Sequence, residues 1–177
     1  MSEGWGEQDP LAGIPSPSQT MGPLYGFALM FEGSSEAVAP DSPGAVRLEG
    51  LIVDGDGVPL SWPEGYIEVW EGDQWARGRT DETGRYSVLV RKPAPAPAPD
   101  GSVQAPHLNV AVFARGLLKQ VLTRVYFPDE AAANAADPIL ELVPPEDRDL
   151  LVAVPEGDVL RFDIHLQGEN ETPFFAF

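Results

Sequence analysis

The 177 residues carry 11 Lys and Arg against 28 Asp and Glu, a formal net charge of −17, and include no cysteine. A field of that sign repels phosphate backbones and anionic lipid, so nucleic acid and membrane surfaces are excluded as expected partners. Without cysteine there can be neither disulfides nor thiolate metal sites. The 19 Pro and 18 Gly argue against a helical bundle and for short strands joined by tight turns.

Residues 1–16 are polar and aperiodic, and they read as a flexible lead-in to a single domain over 17–177. The opening MSEGWGEQDP has no apolar run, and no later stretch approaches the ~18 apolar residues of a membrane span. The expectation is a soluble, cytoplasmic protein. Pro17 to Tyr25 reads as an arm stiffened by its prolines, and 32–45 as a polar connector.

From Arg47 the pattern becomes that of strands. Leu48, Leu51, Ile52 and Val53 run into Asp54-Gly55-Asp56-Gly57, a turn that lacks the further ligands of a calcium loop. Tyr66 to Trp70 is rich in β-formers, and the loop that follows it spans Glu71 to Gly78. Tyr86, Val88 and Val90 share one face of a third strand. The alternation of Pro and Ala over 93–99 predicts a stiff polyproline II arm. Over 107–115, Leu108, Val110, Val112 and Ala114 lie on one face and His107, Asn109, Ala111, Phe113 and Arg115 on the other. A further strand covers 117–127, and DEAAANAADP predicts a short helix ending at Pro138. Pro145 to Leu150 starts another helical turn. Leu160, Phe162, Ile164 and Leu166 point inward from an unbroken strand, and the aromatic terminus 173–177 should pack on the core or on a partner.

The chemistry-bearing residues are few. There is no Gly-x-Ser-x-Gly elbow, no phosphate loop and no serine spaced to either histidine. His165 reads as a satisfied polar residue on the face away from the core. His107-Leu108-Asn109 has the form of a His-x-His pair on one strand face in which the second ligand is an amide, a poor donor to transition metals. No third or fourth ligand is evident, so this chain is not expected to hold a metal by itself.

PSQTMGP (17–23), LEGLIVDGD (48–56), IEVW (67–70), GRY (84–86), APHLNVAVFARG (105–116), TRVYFPDE (123–130), ANAADP (133–138) and RFDIHLQGENETPFF (161–175) run in one order. Together they resemble the alpha chains of the protocatechuate 3,4-dioxygenases, a group of intradiol ring-cleavage enzymes. The resemblance implies a mainly β fold, a β-sandwich core with long loops and one or two short helices. It also implies a hetero-oligomer with a homologous beta subunit. In such enzymes both atoms of O2 enter 3,4-dihydroxybenzoate (protocatechuate), and the ring opens between the hydroxyls to 3-carboxy-cis,cis-muconate. The cofactor, iron(III), is held by two tyrosines and two histidines of the beta subunit. This chain has Asn109 at one of those histidine positions, and no tyrosine in the loop after Trp70 or after Lys92-Pro93. The resemblance assigns it no catalytic residue and no metal ligand. The matching pocket positions are Thr20, Gly22, Pro23 and Arg115, with Arg115 the fixed charge suited to a carboxylate. The alternatives are a non-enzymatic β-sandwich binding module that kept the fold, and an alpha-type subunit acting on another catechol.

Overall fold

The structure, a computed structural model, describes residues 23–98 and 101–176. After α1 (Pro23–Leu29) come β1 (Ala45–Val53), β2 (Gly65–Glu71), β3 (Gln74–Arg79), β4 (Arg85–Arg91), β5 (Ala96–Pro97), β6 (Val103–Gln104), β7 (His107–Ala114) and β8 (Val121–Tyr126). A 3-10 turn at Pro128–Glu130 leads into α2 (Ala131–Asn134), two more 3-10 turns occupy Leu140–Leu142 and Arg148–Leu151, and β9 (Val154–Glu156), β10 (Val159–Arg161) and β11 (Ile164–His165) follow. The expected mainly β fold with short helices is what the residues form.

Two sheets make the sandwich. In one, β4 pairs antiparallel with β1, while β10 and β11 follow one another in parallel along the other edge of β1, with β9 outside β10. The other has the order β3-β2-β7-β8, antiparallel throughout. The period-two pattern places the buried residues between them: Leu48, Ile52, Tyr86, Val88 and Ile164 from the first sheet meet Ile67, Val69, Leu108, Val110 and Val112 from the second. Full burial of one such aliphatic side chain contributes about 1.5–3 kcal/mol, so this layer fixes which face of each strand turns inward. A smaller cluster of Ala105, Tyr126, Leu140, Val143 and Leu151 covers part of the outer face of the second sheet.

Several expectations are corrected. The stretch after Trp70 is not a loop from Glu71 to Gly78: Glu71 pairs with Gln74 across a two-residue turn, with Gly72 at φ 60°, and β3 follows. Alternation there, Gln74, Ala76 and Gly78 buried against exposed Trp75 and Arg79, was masked by arginines and a glycine. The Pro-Ala segment is not an independent polyproline arm, because Ala96 and Pro97 pair with Gln104 and Val103 in a small ribbon. The strand expected at 117–127 begins at Val121. The strand expected at 160–167 is broken at Phe162-Asp163. There the Leu51 amide donates to Asp163 Oδ1 at 2.9 Å instead of to a ladder carbonyl, and the Phe162 carbonyl accepts the Tyr86 hydroxyl. Its inward residues nonetheless face the core, Phe162 and Ile164 fully. At the terminus Phe174 packs on the main core and Phe175 on the smaller cluster.

Candidate functional site

His107 opens β7 directly opposite Tyr126 of β8, and Asn109 lies between Trp70 of β2 and Arg124 of β8. Strand pairing therefore gathers these side chains with Glu71, the last residue of β2. The imidazole is 2% exposed, and its Nδ1 donates to the Ala105 carbonyl at 2.8 Å. That leaves Nε2 toward Glu71 Oε2 at 3.5 Å, the same oxygen that accepts the Asn109 amide at 2.7 Å. Burial holds the His107 pKa below the ordinary 6.5; Arg124 reinforces this, while the Ala105 carbonyl, Glu71 and Asp137 oppose it.

This donor set does not fit iron(III). It consists of one imidazole and one carboxylate, and the Asn109 amide turns its NH2 group, a donor with no lone pair to offer, toward that carboxylate. Among the described residues no group of three or more His, Asp or Glu side chains is arranged to hold a metal ion. The arrangement is a hydrogen-bonded plug, in which Glu71 ties β2 to β7.

Beside it lies a buried carboxylate that sequence reasoning missed. Asp137, 1% exposed, accepts the Ala105 amide at 2.7 Å, the Tyr126 hydroxyl at 3.0 Å, and the amides of Ile139 and Leu140 at 2.9 and 2.8 Å. It satisfies four donors, three of them buried and the Ile139 amide partly so, and pins the 3-10 turn at Leu140–Leu142 to the second sheet. Desolvation raises the Tyr126 hydroxyl well above the usual phenol value.

Arg115 follows the last residue of β7. Its amide donates to the Glu64 carbonyl at 2.8 Å, and its Nη1 is ion-paired with Glu64 Oε1 at 2.7 Å, with side-chain exposures of 62% and 32%. Glu64 closes a turn, its own amide donating to the Ser61 carbonyl at 2.7 Å. Inside that turn Trp62 packs against α1, edge-on to Phe27 with centroids 5.2 Å apart, and a Cβ on Gly26 would lie 3.1 Å from the indole. The Ser61–Glu64 turn thus touches α1 on one side and holds Arg115 on the other. Of the expected pocket positions, Arg115 is exposed at this end of the sandwich and Pro23 begins α1; Thr20 and Gly22 lie outside the described residues.

A cavity of about 550 Å³ opens beside Phe31, between β3 and β4, and it includes neither His107 nor Arg115. Two of its arginines are already paired, Arg77 with Glu68 and Arg85 with Glu49. His165 is half-buried and lines no cluster; its main chain bonds Thr172 through the Thr172 hydroxyl and amide. No described helix is long and apolar enough to cross a membrane.

The chain is 38% identical over 193 residues to a protocatechuate 3,4-dioxygenase alpha chain from Burkholderia cepacia, a match covering 90% of this chain and 96% of the relative. It is 34% identical over 195 residues to the alpha chain from Pseudomonas putida, covering 92% and 96%. No family model matches. Among solved structures it is similar to the dioxygenase domain of a dioxygenase and carbohydrate-binding fusion from Streptomyces sp. SirexAA-E, with a TM-score of 0.53, 17% identity and coverage of 78% and 88%. It is also similar to catechol 1,2-dioxygenase from Acinetobacter sp. ADP1, with a TM-score of 0.52, 19% identity and coverage of 73% and 55%. At those identities the structures show a shared fold.

Proposed function

This chain belongs to the family of protocatechuate 3,4-dioxygenase alpha chains, and on that premise we propose that it is the subunit that completes a ring-cleaving site without holding its metal. The iron(III) of such a site, which supplies the oxidative chemistry with O2, is bound by a homologous beta subunit in this reading. The observation that carries it is similarity along nearly the whole length of named alpha chains. The plugged His107-Asn109-Glu71 cluster supports it, since one imidazole cannot retain iron(III).

In the complex this chain binds and orients. Arg115 presents a positive charge at an exposed end of a strongly acidic chain and receives the carboxylate of 3,4-dihydroxybenzoate. In the same reading the matching positions Thr20, Gly22 and Pro23 contribute to the pocket, Thr20 with a hydroxyl able to hydrogen-bond and Gly22-Pro23 as a pair that permits close backbone approach. Proton or electron transfer is not assigned to any residue here.

Co-expression with the beta chain tests the proposal. The expected result is a tight complex that cleaves 3,4-dihydroxybenzoate between its hydroxyls, while the separated chain is colourless and inactive. A stoichiometric iron(III)-tyrosinate absorption band in the isolated chain, or failure to associate with any beta chain, would overturn it.

A further inference from the structure

We propose that Glu64 is a positioning residue for Arg115 and thereby sets selectivity for a ring that carries a carboxylate. This rests on the reading of Arg115 given above and adds to it a second residue with a separable effect. A free arginine on an exposed strand end samples many rotamers, and ordering it on each binding event costs affinity. Here Arg115 is held twice by one residue: its amide donates to the Glu64 carbonyl at 2.8 Å, and Nη1 is ion-paired with Glu64 Oε1 at 2.7 Å. The guanidinium is a planar fork. With Nη1 engaged, Nε and Nη2 have no acceptor among the described residues, and they form the edge that can take a carboxylate with two parallel bonds.

Glu64 is itself fixed. Its amide donates to the Ser61 carbonyl at 2.7 Å, and the Trp62 amide of the same turn donates to the Asp81 carbonyl at 3.2 Å. Trp62 also carries α1 through Phe27. The orientation of Arg115 is therefore referred, through the Ser61–Glu64 turn, to α1. Removing the Glu64 side chain leaves its carbonyl bond to Arg115 in place, so the turn survives while the guanidinium is released.

The test uses the assembled complex with Glu64→Ala, Glu64→Gln, Arg115→Ala and the Glu64→Ala/Arg115→Ala pair. Calorimetric dissociation constants are measured anaerobically for 3,4-dihydroxybenzoate and for unsubstituted catechol, alongside KM and kcat for the former. Glu64→Ala should weaken 3,4-dihydroxybenzoate about two- to fivefold, the range an exposed ion pair carries. Catechol binding and kcat should hold within twofold. Glu64→Gln, which keeps an acceptor, should recover most of the affinity, and the pair should be no worse than Arg115→Ala. Equal weakening of both ligands would make Glu64 merely structural, and tighter carboxylate binding would make it a screen; either overturns the inference. If Arg115→Ala itself leaves 3,4-dihydroxybenzoate unaffected, it is the underlying reading of Arg115 that fails.

Discussion

His107 and Arg115 stand at opposite ends of β7, the first buried at its opening residue and the second exposed just past its last. Eight residues of antiparallel strand span about 27 Å, so within one chain these two cannot serve one small-molecule pocket. The His107-Asn109-Glu71 cluster and the Arg115-Glu64 pair are separate features. In the proposed reading a pocket built on Arg115 takes its iron from the beta subunit, and the isolated chain is expected to be inert.

Arg115→Ala in the assembled enzyme should raise KM for 3,4-dihydroxybenzoate about tenfold, the scale of one charge-assisted hydrogen bond. Iron content should not change. Steady-state kinetics with a parallel iron assay check both halves; unaltered KM rejects a carboxylate contact.

Replacement of Asp137 by Ala should destabilise the chain by about 3 kcal/mol or more. Three buried donors and one partly buried one lose their acceptor at once, and each orphaned buried group costs about 1–3 kcal/mol before relaxation. Tyr126→Phe, which removes one of those donors, should cost about 1 kcal/mol. Urea unfolding of the two variants gives the comparison, and similar losses would refute the network.

The close crossing of β1 by Phe162 makes Gly50 irreplaceable. A Cβ there would lie 1.8 Å from the Phe162 carbonyl oxygen and 2.9 Å from the Tyr86 hydroxyl. Because backbone must move to admit it, Gly50→Ala is expected to cost about 3 kcal/mol. A thermal melt within a degree or two of the parent would contradict that.

Acid should loosen the plug through His107. Its folded pKa lies below the ordinary 6.5, chiefly because burial disfavours the imidazolium. The unfolded chain therefore binds more protons as pH falls through 6.5, and folding stability declines toward the lowered folded value by at most about 1.4 kcal/mol per pH unit. Urea midpoints between about pH 7.5 and 5.5 should fall further for the parent than for His107→Gln. Equal declines would assign the acid sensitivity to carboxylates.

Much of the fold could be read from the residues alone. Alternation at 85–90 and 107–114 put Tyr86, Val88, Val90, Leu108, Val110 and Val112 in the core, where they are, because a half-buried strand has to separate apolar from polar faces at period two. Where alternation was diluted, as in Gln74–Arg79, the strand was missed, since its burial depends on β2 and on the facing sheet. The unbroken strand at 160–167 failed for a related reason: the Asp163 carboxylate substitutes for a carbonyl in the ladder, an exchange visible only once β1 is alongside. The family was legible in the sequence. The partner of Asn109 was not, because Glu71 reaches Asn109 across 38 residues of sequence. Composition and local periodicity determined the class of fold, which is a sum over near neighbours. Cross-strand pairing decided that Glu71 accepts the Asn109 amide and Glu64 pairs with Arg115, since contacts between distant segments exist only when the sheets have set their register.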